Sequence, residues 1–192
     1  ENKEIFINGA DINIRIFSDS NDDNLPLLVN FHGGGWVLGD LDADDKMCRY
    51  LAKKSKHKVV SVDYRLAPEY KFPTPLQDCY KTVSFIHKNY KEFNINPDKI
   101  SICGTSAGGN LAAAVSMLFR DIKNDMIKNQ ILFTPVLNND FETSSYNEFS
   151  EGYALEKESM IWFWNNYIEG DVSKANKFSA IIKDEINDNL PK

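Results

Sequence analysis

The sequence predicts an α/β fold built on a mostly parallel sheet, and three observations lead there. A short β-type run with Ile100, Ile102 and Cys103 meets GTSAG at 104–108, and a helical pattern of Leu111, Val115, Leu118, Phe119 and Ile122 follows directly. An apolar run at 25–31, helical periodicity over 42–56 and a β-branched run at 58–62 make a βαβ unit, which forces its two strands parallel. Near the N-terminus, apolar and polar residues alternate on both sides of Asn8-Gly9, the pattern of a tight antiparallel hairpin.

Taken in order, residues 4–7 and 12–17 are the hairpin strands at one sheet edge, and 18–24 form a polar loop. The run at 25–31 hardly alternates, as expected of a strand covered on both faces. Met47, Tyr50, Leu51 and Lys54 set the period of the helix over 42–56. The next helix opens on Thr74-Pro75-Leu76-Gln77, where threonine can cap, proline fits the first turn and glutamine takes the capping-box position. Cys79, Val83, Ile86 and Tyr90 are its expected inner face. Asn96-Pro97-Asp98 turns the chain into the strand before Ser106. QILFTPV at 130–136 is the expected sixth strand, and a polar, aromatic loop spans 138–153. The last helix, 157–168, sets Met160, Ile161, Trp164, Tyr167 and Ile168 on one side. The tail at 169–192 is polar.

With 192 residues the chain has room for one domain with a sizeable core, so 1–192 is read as a single domain. A net charge of −6, and no run of lysines or arginines, argue against a nucleic-acid surface. No stretch approaches the roughly 18 apolar residues of a membrane span. Cys48, Cys79 and Cys103 are odd in number and form no C-x-x-C, so they read as buried free thiols in a reducing, cytoplasmic setting rather than a metal site. The chain opens on Glu1, so the lack of a visible signal segment decides nothing.

Ser106 is the candidate nucleophile. A serine on a sharp strand-to-helix bend needs small neighbours two residues away on each side, and Gly104 and Gly108 stand there. The bend also places the Ala107 amide at a helix N-terminus, where unpaired N–H groups favour negative charge. His32-Gly33-Gly34-Gly35-Trp36 follows the strand at 25–31. Three glycines in a row lose much chain entropy on folding, and they suit a backbone that must bring its amides close to a developing oxyanion. Asp63 and Arg65, after the next strand, are expected to fix their loop by charge-assisted hydrogen bonds.

These segments carry a resemblance. FHGGGWVLGD at 31–40, SVDYRLAPE at 61–69 and GTSAGGN at 104–110 resemble the hormone-sensitive-lipase-like esterases of the α/β-hydrolase fold. SYNEFSEGY at 145–153 and WFWNNY at 162–167 look like the acetyl-esterase-type members of that family. The resemblance implies an α/β-hydrolase fold and hydrolysis of small carboxylic esters without a metal or cofactor. It implies Ser106 as nucleophile, the amides of Gly34, Gly35 and Ala107 as oxyanion hole, and Gly33 shaping the turn. It gives His32 the bracing of the glycine loop, and Trp36 with the 138–178 segment a wall of the substrate pocket beneath a cap.

Two departures from the family pattern follow. Members begin with cap helices before the first strand, and they continue into two further strands that carry the acid and the histidine. The triad order on this fold is serine, acid, histidine, yet His32, His57 and His87 all precede Ser106. His57 and His87 read as ordinary surface or packing residues, and Asp140, Asp171, Asp184 and Asp188 have no histidine to orient. The chain is therefore expected to be an excerpt of a longer enzyme, incomplete at its C-terminal sheet edge and hydrolysing esters near background. Its sixth strand would be an open apolar edge suited to pairing with a second copy. The alternative reading is a non-catalytic small-molecule-binding module on the same scaffold. A nucleotide-binding domain is disfavoured, because neither G-x-G-x-x-G nor G-x-x-x-x-G-K-[ST] is present.

Overall fold

The computed structural model describes residues 1–20, 22–184, 190 and 191. Six strands form one sheet: β1 (Asn2–Ile7), β2 (Ala10–Phe17), β3 (Leu25–Phe31), β4 (Lys58–Val62), β5 (Ile95–Thr105) and β6 (Ile127–Phe133), in the order β1-β2-β4-β3-β5-β6. The hairpin of β1 and β2 is antiparallel, as is the β2–β4 pair, while β4, β3, β5 and β6 run parallel. Asn8 and Gly9 both take positive φ, 51° and 71°, which lets the two-residue turn follow the strand twist.

Chain order and right-handed crossovers place the helices. From β3 the chain steps to β4 through α1 (Asp45–Ser55), then returns across β3 to β5 through α2 (Thr74–Lys88). The reversal of direction puts α1 on one face and α2 on the other, and α3 (Ala107–Asp121), leading on to β6, joins α2. The core divides accordingly. Phe17, Leu28, Cys48, Ala52, Val59 and Cys103 pack in a small cluster under α1. A larger cluster under α2 and α3 takes Leu27, Val29, Phe31, Val60, Val62, Ile100 and Ile102 from the strands. Alternate residues of β3 go to opposite clusters, which is why its sequence reads as one apolar run. The short α4 (Ser144–Glu148) and α5 (Lys157–Tyr167) follow β6, with 3-10 turns at Val172–Lys174 and Ile181–Lys183.

Several element ends differ from the sequence reading. Helix α1 starts at Asp45 because the Asp40 carboxylate accepts from the Asp42 and Ala43 amides, at 2.8 and 3.1 Å, and holds a turn there. Its buried face is Cys48 and Ala52, whereas Tyr50 is exposed. Thr74 does not cap α2. Pro73 takes the cap position without a side-chain bond, and Gln77 faces Asn8 instead of closing a capping box. Tyr90 lies beyond the end of α2 and is exposed, as is Ile122 beyond α3. The sixth strand ends at Phe133, three residues before its expected end, since Thr134 takes φ 42° and Pro135 has no N–H to donate. It gains Ile127 to Asn129, which pair with Ile100 and Ser101. The tail is not merely polar: Ala175, Ser179 and Ala180 are buried. Asp188 lies outside the described residues.

Candidate functional site

The β3–β5 boundary is where the chain leaves in opposite directions along the sheet, and loops after two such strands part to leave a crevice. Phe31 and Gly104 are paired across that boundary. The glycine loop and Ser106 therefore emerge side by side at the carboxyl ends of the strands. An added Cβ on Gly33 would stand 3.1 Å from the Thr105 carbonyl and 3.6 Å from the Ser106 Cβ.

Ser106 is partly exposed and takes φ 56°, ψ −116°, an unfavourable conformation for a residue with a side chain. Three backbone bonds hold it. Its amide donates to the Phe133 carbonyl (2.9 Å), and its carbonyl accepts from Asn110 N (3.0 Å) and Val136 N (3.2 Å). The flanking glycines are demanded by close approach: a Cβ on Gly104 would strike the Gly108 carbonyl, and one on Gly108 the Phe31 carbonyl. Ala107 is the first residue of α3, so its amide belongs to the helix's unpaired first turn.

The glycine loop has its carbonyls tied down. Gly34 O accepts from Val37 N (3.1 Å) and Leu38 N (2.9 Å), and Gly33 O accepts from His32 Nδ1 (2.7 Å). A carbonyl can only accept, so Nδ1 carries the imidazole proton. In a planar trans peptide the C=O and the next N–H point opposite ways. Anchoring the carbonyls of Gly33 and Gly34 thus turns the amides of Gly34 and Gly35 the other way and holds them there. That is the property an oxyanion hole requires.

Neither Trp36, expected at the pocket wall, nor His32, expected to brace the glycine loop, is at a surface. His32 is fully buried, stacked on Tyr64 at 4.3 Å, and Trp36 is fully buried, stacked on Tyr167 at 4.3 Å. With no exposed atoms, neither ring meets an entering molecule in this structure. Both brace the loop from behind. The 138–178 segment supplies different neighbours: the Phe163 ring lies against Gly35, where any Cβ would collide with it. No local sequence signal marks Phe163, because its contact depends on how α5 docks.

Arg65 behaves as a clamp, and its partner is Asp78 of α2. Nε and Nη2 donate to the two Asp78 oxygens at 2.8 and 2.7 Å, and Asn8 Nδ2 adds a third bond at 2.8 Å. Asp78 is fully buried, and this bidentate pairing lets a carboxylate stay there. Burial pushes the Asp63 carboxyl above its ordinary value, against a smaller opposing effect of His32.

The other histidines stand elsewhere. His57 precedes β4 and His87 is near the end of α2, so both are at the amino ends of the parallel strands, across the sheet from Ser106. Asp140 and Asp171 act locally, accepting from the amides of Glu142 and Ser173, and Asp184 pairs with Arg120. Among the described residues no group of three His, Cys, Asp or Glu could hold a metal ion, and no helix is long and apolar enough to cross a membrane. The three cysteines are free and buried, and burial raises the Cys48 thiol to about 12.

Comparison with known proteins agrees with this geometry. A family model described as alpha/beta hydrolase fold matches residues 28–192. The chain is 37% identical over 190 residues to an arylesterase of Saccharolobus solfataricus, covering 98% of this chain and 61% of that protein. It is 37% identical over 152 residues to carboxylesterase NlhH of Mycobacterium tuberculosis, covering 79% of this chain and 48% of that one. A hyperthermophilic esterase from the archaeon Pyrobaculum calidifontis superposes with a TM-score of 0.94 at 36% identity, over all of this chain and 63% of that structure. The chain thus spans about half to two thirds of the length of these relatives.

Proposed function

This chain belongs to the α/β-hydrolase family, and from that premise we propose that Ser106 is the nucleophile of a carboxylic-ester hydrolase for small esters. The observation that carries the reading is a serine at φ 56° on a strand-to-helix bend, beside a glycine loop whose carbonyls are anchored. Ser106 Oγ would attack the ester carbonyl, and the amides of Gly34, Gly35 and Ala107 would receive the developing oxyanion. Departure of the alcohol leaves an acyl-serine that water then cleaves. Gly33 shapes the approach, and the 138–178 segment contributes to the cap through Phe163.

The serine must lose its proton to a base, and none of the described histidines is hydrogen-bonded to it. His32 is committed to Gly33, and His57 and His87 are across the sheet. Loss of the base in such a triad costs on the order of 10⁶ in turnover, while an oxyanion hole alone still supplies some 10³ over water. The 192-residue chain should therefore hydrolyse p-nitrophenyl acetate within about 10³ of the buffer rate.

The same observation favours a second reading, a binding module that retains the pocket without turnover. A fluorophosphonate probe applied to the full-length gene product, since labelling needs an activated hydroxyl, separates the two after peptide mass mapping. The esterase reading expects one adduct, on Ser106, absent from Ser106→Ala. Reversible binding of esters with no adduct at Ser106 would leave the binding module standing. The buried free thiols support a reducing, cytoplasmic location. Among the described residues β6 is the last strand of the sheet, with Ile131 and Phe133 about two-fifths exposed (42% and 40%), which supports self-pairing of two copies of this chain.

A further inference from the structure

The first peptide of the glycine loop is anchored by a residue outside the loop. Tyr64 follows β4, and its hydroxyl donates to the His32 carbonyl at 2.8 Å in a fully buried contact. Its ring lies flat on the His32 imidazole, with centroids 4.3 Å apart and planes 10° from parallel. His32 in turn donates through Nδ1 to the Gly33 carbonyl. One side chain thus governs two consecutive peptides. The hydroxyl fixes the His32 carbonyl and so turns the Gly33 N–H the opposite way. The ring fixes the imidazole that fixes the Gly33 carbonyl, and so turns the Gly34 N–H.

The surroundings leave His32 little other support. Its Nε2 has no hydrogen-bond partner among the described residues. Gly39 also approaches the ring so closely that a Cβ there would strike Nδ1. The imidazole is therefore packed against both Gly39 and the Tyr64 ring, while the Tyr64 hydroxyl holds the His32 backbone. Burial raises the ionisation of the Tyr64 phenol well above its ordinary value, so it remains a donor across the working pH range.

We propose that Tyr64 is the positioning residue of the oxyanion hole, seating the start of the glycine loop through its bond to the His32 carbonyl and aiming the Gly34 amide through its stack on the His32 ring. Tyr64 touches no reacting atom. Its effect is confined to the geometry offered to a tetrahedral anion, and it rests on the reading of Ser106 given above.

Butaneboronic acid tests the proposal without requiring turnover. Its boron accepts an electron pair from Ser106 Oγ, the serine proton passes to solvent, and the product is a four-coordinate boronate anion with both hydroxyls retained. Titration followed by amide NMR should show Ser106-dependent binding to the wild-type chain, with the Gly34 amide signal displaced. Tyr64→Phe keeps the ring and removes the hydroxyl. It should weaken boronate binding about tenfold and shrink that displacement, while the affinity for butyramide, which forms no anion, stays unchanged. Wild-type boronate affinity in a folded Tyr64→Phe would overturn the proposal. Equal boronate binding by Ser106→Ala would instead overturn the Ser106 reading beneath it. Should Tyr64→Phe not fold, the wild-type chain still decides. Its buried Tyr64 hydroxyl proton should exchange slowly and shift when boronate binds, and a resonance that does not move rejects the proposal.

Discussion

Gly108 illustrates how little freedom the residues around Ser106 have. The space a Cβ would occupy is taken by the Phe31 carbonyl, a backbone atom of β3 that cannot rotate away. Gly108→Ala should therefore push α3 off the sheet, costing about 2–3 kcal/mol, the upper part of the range for overpacking. A urea denaturation series would measure it, and a loss under 0.5 kcal/mol would show that the contact relaxes. Tyr167 makes the opposite case. Its hydroxyl has no hydrogen-bond partner among the described residues, while its ring is fully buried against Trp36. Tyr167→Phe should leave the melting temperature unchanged or raise it. Tyr167→Ala should cost about 3–5 kcal/mol through the cavity left beside Trp36.

Between elements, the Arg65–Asp78 pair joins the segment after β4 to α2, with Asn8 of the hairpin as third member. Removing one partner of a buried pair leaves the other uncompensated, which costs about 3–5 kcal/mol when both are deeply buried. Arg65 retains 20% exposure, so Asp78→Ala should cost near the lower end, about 3 kcal/mol, and Asp78→Asn somewhat less. Chemical denaturation at neutral pH would check both. Helix α5 is tied to the glycine loop by the Trp36–Tyr167 stack and the Phe163–Gly35 contact, and to the chain before α2 by Phe72 N donating to Tyr167 O (2.8 Å). The 138–178 segment and the glycine loop are thus one packed unit.

At the scale of the whole molecule, stability should depend on pH through carboxylates displaced in opposite directions. Bonds from Lys177 and then Arg120 hold Asp121 below its ordinary 3.8. A lowered folded value means the unfolded chain protonates first. Asp121 therefore contributes stability above about pH 4 that is lost as pH falls through its folded value. Asp121→Asn should flatten the acid limb of a plot of melting temperature against pH. Asp63 has the reverse sign, because burial raises it. Stability is lost as pH rises through the ordinary value of 3.8 and the loss is complete above the folded value, so Asp63→Asn should stabilise at pH 7 and lose that gain below about pH 4. The sheet edge is the other global feature. If copies pair along β6, Ile131→Lys should lower the apparent mass at high concentration in sedimentation, and a wild-type chain that stays monomeric would remove the idea.

What the sequence determined by itself is the order and type of the six strands and of the helices α1, α2, α3 and α5, though not the short α4 inside its expected loop, and the place of Ser106. Those depend on local chemistry: glycines where a bend forbids a Cβ, apolar runs where a strand is covered on both faces, Asn8-Gly9 where φ must be positive. The tertiary structure decided what stands opposite what. Asp78 of α2 meets Arg65, Trp36 turns into the core, and Tyr64 and Phe163 reach the glycine loop. Each of these joins segments tens of residues apart, and the approach of two packed elements leaves no period or spacing in the chain. Element ends fell between the two, because the turn held by Asp40 and the stop at Thr134-Pro135 are local in cause yet outweighed a longer apolar pattern.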